Sequence, residues 1–116
     1  MIESKKVAFL AATAAEEKKA ENIVILDLRK VATFTNYFLI CSADSTVQAQ
    51  AIAQAIQERL EKSKLSAWHL EGYKEGKWIL LDYSDVIIHI FIKETRLFYN
   101  LEGLWGDAKV LEIRKN

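Results

Sequence analysis

Two apolar runs separated by only two residues constrain this chain more than any other feature. Trp78-Ile79-Leu80-Leu81-Asp82-Tyr83 and Val86-Ile87-Ile88-His89-Ile90-Phe91 flank the dipeptide Ser84-Asp85. Continuous apolar runs, unlike alternating ones, mark strands covered on both faces. The short link predicts a tight antiparallel pair, although Ser-Asp is not the favoured glycine-containing turn.

The remaining segments supply the cover and the rest of the sheet. Residues 4–21 read as a helix, with Val7, Leu10, Ala11 and Ala14 at helical spacing. Ile23–Leu28 and Asn36–Cys41 are short apolar runs of strand type, joined through Arg29–Phe34. Ser45-Thr46-Val47-Gln48 has the form of a capping box: the Ser45 hydroxyl accepts from the Gln48 N–H, and the Gln48 side chain reaches back. The helix it opens runs to about Ser63, with Ile52, Ile56 and Leu60 as a ridge and small alanines at 49, 51, 53 and 55 beside it. A strand is predicted over Ala67–Glu71, a turn over Gly72–Gly76, a helix over Glu94–Trp105 and a short edge strand over Val110–Ile113. Arg114–Asn116 should fray. The order αββαβββα predicts an α/β fold: a single three-layer domain over residues 1–116, with a mixed sheet of about five strands and helices on both faces. Within it, 1–21 carry the N-terminal helix and 110–116 form a short C-terminal tail.

Composition narrows the function. At 116 residues and 51% hydrophobic content, one folded core is expected rather than disorder. Sixteen basic and sixteen acidic residues balance, so no global positive field draws in nucleic acid, and direct sequence-specific nucleic-acid binding is not expected. The single cysteine, Cys41, ends an apolar run and reads as a core thiol. No stretch reaches the roughly 20 apolar residues of a membrane span, and the charged N-terminal segment does not read as a signal peptide, which makes the cytoplasm the expected compartment.

No catalytic set emerges. Asp82, Asp85 and His89 surround one hairpin, but the two aspartates flank a turn, where carboxylates commonly bond nearby backbone N–H groups. His89 in an apolar strand reads as a hydrogen-bonded structural group. Nucleotidyl transfer requires a Gly- or Ser-containing phosphate loop and strand carboxylates one residue apart to hold two metal ions, and neither is present. No cofactor and no metal are expected.

The last helix points elsewhere. At about 100° per residue, Leu97, Leu101, Leu104 and Trp105 share one face and Phe98 lies at its edge. Tyr99 falls nearly opposite, with Arg96 and Gly103. An outward aromatic serves either as a docking contact or as a cover for neighbouring surface.

Several motif blocks together carry a resemblance. Thr35-Asn36-Tyr37-Phe38-Leu39-Ile40-Cys41-Ser42, Glu71-Gly72, Trp78-Ile79-Leu80-Leu81-Asp82-Tyr83, Asp85-Val86-Ile87-Ile88-His89-Ile90-Phe91 and Arg96-x-x-Tyr99-x-Leu101-Glu102-x-Leu104-Trp105-x-Asp107-Ala108 resemble the Iojap family, whose bacterial members are ribosomal silencing factors. The resemblance implies a nucleotidyltransferase-like fold without transferase activity. It also implies binding to the large ribosomal subunit through ribosomal protein fourteen, obstruction of subunit joining, and lowered translation when nutrients are scarce. Family members often form homodimers. The family usually has Asp at position 36 and Gly at position 84, where this chain has Asn36 and Ser84. Partner contacts are expected from the aromatics Trp78, Tyr99 and Trp105 and from the acids Asp82, Asp85, Glu102 and Asp107, with His89 and Arg96 as supports. A dimeric adaptor and a nucleotide-handling enzyme are the alternative readings.

Overall fold

A computed structural model gives the architecture of residues 2–111. The elements are α1 (Ser4–Glu17), β1 (Glu21–Asp27), β2 (Tyr37–Ala43), α2 (Thr46–Glu61), β3 (His69–Glu71), β4 (Trp78–Asp82), β5 (Val86–Ile92), α3 (Lys93–Tyr99), α4 (Leu101–Leu104) and β6 (Lys109–Leu111). The strands form one mixed sheet in the order β3-β4-β5-β2-β1-β6. It has six strands, β6 being added antiparallel to β1. The predicted strand over Val110–Ile113 is present through Leu111. Its last two residues and the tail Arg114–Asn116 lie outside the described residues.

β2 and β5 pair in parallel, while the other neighbours are antiparallel. Parallel pairing needs a long crossover, and α2 with the β3–β4 hairpin supplies it. The two apolar runs pair as predicted, with Trp78 opposite Phe91 and Asp82 opposite Ile87.

Helices α1 and α2 cover one sheet face. Ile52, Ile56 and Leu60 are fully buried as the expected ridge, and Ala49 and Ala53 let α2 lie close. Each buried aliphatic side chain of this size contributes about 1.5–3 kcal/mol. The Gln48 N–H donates to Ser45 Oγ at 3.1 Å, as the capping box requires. The return bond shifts by one residue: Gln48 Oε1 accepts from the Asp44 N–H at 2.6 Å, and its amide group donates to the Lys18 and Lys19 carbonyls. One side chain thereby fixes the start of α2 against the end of α1. That end comes earlier than the predicted residue 21, because Lys19 turns left-handed at φ 67° and β1 begins at Glu21. Cys41 is fully buried, and burial pushes its thiol up to about 12, the state of a core group and not a nucleophile.

The largest departure from expectation lies on the other face. The helix predicted over Glu94–Trp105 breaks at Asn100, which adopts φ 44° and ψ 55° and donates its N–H to the Arg96 carbonyl at 2.9 Å. Asparagine tolerates this left-handed geometry better than most residues, so the helix ends there and restarts as a single turn. The break resets the helical phase. Leu101 is buried as predicted, but Leu97 and Leu104 are exposed rather than core-facing. Arg96 turns inward instead of outward with Tyr99.

Candidate functional site

Because α3 and α4 are short, they cover the second sheet face only thinly. Alternation along the strands puts Trp78, Leu80 and Asp82 of β4, Ile87, His89 and Phe91 of β5, and Phe38 of β2 on that face. Aromatic side chains collect there. The Phe98 ring meets Tyr99 at 5.0 Å, Tyr99 meets Trp78 at 4.8 Å, and Trp78 lies over the buried Phe91 at 4.8 Å. Further along, His89 meets Phe38 edge-on at 4.6 Å, Phe38 meets Trp105 at 6.0 Å, and Trp105 meets Phe34 at 5.8 Å. His89 and Trp78, with centroids 5.9 Å apart, join the two groups into one continuous array.

The array reaches the surface at both ends. Phe98 is 81% and Tyr99 51% exposed, and Phe34 is 56% exposed. Trp78 and Trp105 are half-buried, anchored on the core below. Tyr99 therefore points away from the interior and at the same time lies over Trp78.

The expected acids are placed in different ways. Asp82 lies on the same face, in a shallow groove with Trp78, Leu80 and Glu71. Its Oδ1 accepts from the Ser84 N–H at 2.7 Å, the turn role expected of it. Asp85 is exposed on the hairpin, and its carbonyl accepts from the N–H groups of Asn36 and Tyr37. Glu102 faces Arg96, with Oε2 accepting from Nε at 3.0 Å and Nη2 at 2.8 Å. Asp107 is exposed in the turn before β6. The structure thus brings Trp78, Tyr99 and Asp82 to one surface with Trp105 at its far end, and holds Glu102 in an internal pair. Among the described residues, no three or more His, Cys, Asp and Glu side chains converge as a metal site.

Reading the sequence alone missed Glu75 and Glu94. Both line a cleft of about 520 Å³ with Trp78, Phe98 and Tyr99. The signal for Glu75 lay in the register: pairing Trp78 with Phe91 brings the preceding turn beside the start of α3. Phe34 was missed because it sits in a connection, and Phe98 because the helix was phased as unbroken.

His89 is 4% exposed, and burial pushes it down to about 4 from its ordinary 6.5. It is therefore neutral at pH 7. Its Nδ1 accepts from Trp78 Nε1 at 3.1 Å, which leaves the ring proton on Nε2.

Ser84 adopts φ 70°, where a side chain is strained. Ser84→Gly should raise stability by about 0.5–1 kcal/mol, the left-handed penalty less the extra freedom glycine gives the unfolded chain. Urea denaturation of the two proteins measures it, and a destabilised variant would show that the serine is not strained there.

The family model for the ribosomal silencing factor during starvation (RsfS) matches residues 1–116. The ribosomal silencing factor RsfS of Bacillus subtilis is 39% identical over 109 residues, covering 94% of this chain and 92% of the relative. The chloroplastic protein Iojap of Zea mays is 38% identical over 104 residues, covering 88% of this chain and 44% of the plant protein. The crystal structure of a Chromobacterium violaceum protein superimposes with a TM-score of 0.88 at 28% identity, covering 99% of this chain and 95% of the other. On a match that spans its length, and on a fold shared with solved structures, this chain belongs to the family of ribosomal silencing factors.

Proposed function

We propose that this protein silences translation by docking its aromatic and acidic face on ribosomal protein fourteen of the large subunit. Seated there, its body occupies the space the small subunit needs, and translation falls when nutrients are limiting. The reading requires no catalysis. It places the protein in the cytoplasm with the ribosome, and none of its described helices is long and apolar enough to cross a membrane.

One observation carries the reading: a continuous ring array that surfaces at Tyr99 and Phe98 beside Glu75 and Glu94. Aromatics anchored in a core yet open on one side are the residue types that dominate binding energy. Flanking carboxylates favour a basic partner and speed its encounter without a global charge. An RNA partner is disfavoured, since the carboxylates of Glu75 and Glu94 outweigh the single cation, Lys77, that lines the same cleft.

Tyr99→Ala should weaken binding to purified ribosomal protein fourteen by roughly 30-fold, the loss typical of a central aromatic anchor. The same variant should fail to block joining of purified subunits in sedimentation at concentrations where the wild type blocks it. Wild-type protein that leaves subunit joining unchanged at saturation would overturn the reading.

A further inference from the structure

His89 lies buried under the docking face, where the two aromatic groups meet. Trp78 and His89 are diagonal neighbours across the β4–β5 pair, since Trp78 stands opposite Phe91 and Leu80 opposite His89. The indole is fixed on three sides. Phe91 stacks beneath it with the ring planes 29° apart, Tyr99 covers it at 4.8 Å, and His89 Nδ1 accepts its N–H at 3.1 Å. Of these contacts only the hydrogen bond has a direction. Phe91 stacks on the indole and Tyr99 leans on it at 47°, contacts that two ring orientations related by a flip about the Cβ–Cγ bond could share; the bond to Nδ1 selects one.

We infer that His89 is a positioning residue, whose Nδ1 holds the Trp78 indole in the orientation the docking face presents. The inference rests on the docking function proposed above. Two further observations support it. The imidazole is immobilised in turn, edge-on to Phe38 and stacked at 6.2 Å on Phe91, so the acceptor is rigid. Its other nitrogen, Nε2, is buried without a hydrogen-bond partner among the described residues. Among the described residues the bond to Trp78 is therefore the one hydrogen bond of the imidazole.

The pin has a consequence for recognition. With its N–H directed inward, Trp78 offers a partner only carbon and π surface. A docked basic side chain therefore meets no competing donor at this ring.

The test uses the full chain labelled with ¹⁵N at tryptophan. Its three indole N–H signals come from Trp68, Trp78 and Trp105, and Trp78→Phe assigns the one of interest. His89→Leu removes the acceptor and keeps an apolar side chain. Its Trp78 indole N–H should exchange with solvent at least about tenfold faster, as expected for a bond lost from a partly covered site. Affinity for ribosomal protein fourteen should fall about three- to tenfold, because binding must then immobilise a rotor that was already fixed. His89→Asn, whose Oδ1 stands on Cγ as Nδ1 does and accepts in its place, should restore both, which a merely space-filling role would not. A folded His89→Leu protein with a protected indole, or with wild-type affinity, would sink the inference. If His89→Leu does not fold, Trp78→Phe decides: it keeps a ring without the donor, and full affinity would overturn the pin. Should the wild type not bind ribosomal protein fourteen at all, the docking reading falls, and indole exchange alone decides whether His89 orients Trp78.

Discussion

Replacing Arg96 by alanine should destabilise the fold by about 3 kcal/mol, the low end of the range for breaking a buried ion pair. The side chain is only 10% exposed and is hydrogen-bonded in three directions. Nε and Nη2 donate to Glu102 Oε2, while Nη1 donates to the Asn22 carbonyl at 2.7 Å and to Ser42 Oγ at 2.9 Å. One guanidinium thereby ties the α3–α4 corner to the start of β1 and the end of β2. Truncation strands three acceptors at once. Glu102 is the most costly of them, because its Oε1 is already buried without a partner among the described residues. Its side chain keeps 32% of its surface exposed, so water recovers part of the loss and the lower end of the range applies.

A double variant separates charge from packing. Arg96→Met with Glu102→Leu removes both partners and leaves no carboxylate stranded, so it should lose less stability than Arg96→Ala alone. Urea denaturation of the three proteins reads the difference, and a double variant weaker than the single would show that packing at this corner outweighs the ion pair. The same anchor bears on function, since Tyr99 lies three residues beyond Arg96 on α3. A corner freed from β1 and β2 no longer holds that ring over Trp78.

Arg96 also shows why the sequence was only partly legible. Strands and caps were readable because their signals are local. An unbroken run such as Trp78–Tyr83 declares a covered strand, and Ser45 with Gln48 declares a helix start. The ridge Ile52, Ile56 and Leu60 likewise found the sheet as placed. The final helix failed for a non-local reason. Its periodicity fits an unbroken helix, and Asn100, which can end a helix in left-handed form, is a weaker stop signal than a glycine or proline. Asn100 turns left-handed, and Arg96 is drawn inward toward Asn22 and Ser42, contacts 74 and 54 residues away in sequence. Helical phase cannot register such a pull. The site divided along the same line. Trp78, Tyr99 and Asp82 share a surface because strand alternation and one helix turn place them there, whereas the orientation of Glu102 follows from the break. Its placement opposite Arg96 could not have been read from spacing along an ideal helix.

Stability should fall by up to about 3 kcal/mol as pH drops from 6.5 to 4 on account of His89 alone. The sign follows from which state holds the proton. By about pH 7.5, one unit above the unfolded value of 6.5, the imidazole is neutral in both states and the group contributes no pH dependence. Between 6.5 and about 4 the unfolded chain binds a proton that the folded protein refuses, because burial beneath Trp78 and Phe38 penalises the charged ring. Unfolding therefore takes up a proton, and stability rises with pH across this window. Below about 4 the folded state protonates as well and the loss levels off. Protonation at Nδ1 also removes the lone pair that accepts from Trp78, so the indole is released as the histidine charges. Carboxylates titrate over the lower part of the same range, and subtraction isolates the histidine. The difference in unfolding free energy between wild type and His89→Gln, measured in urea at intervals from pH 8.5 to 4, should change steadily between 6.5 and 4, bend around 6.5 and be flat above about 7.5. A flat difference throughout would mean that the folded protein accepts the proton as readily as the unfolded chain. The ring under the docking face would then be neither buried from water nor held neutral.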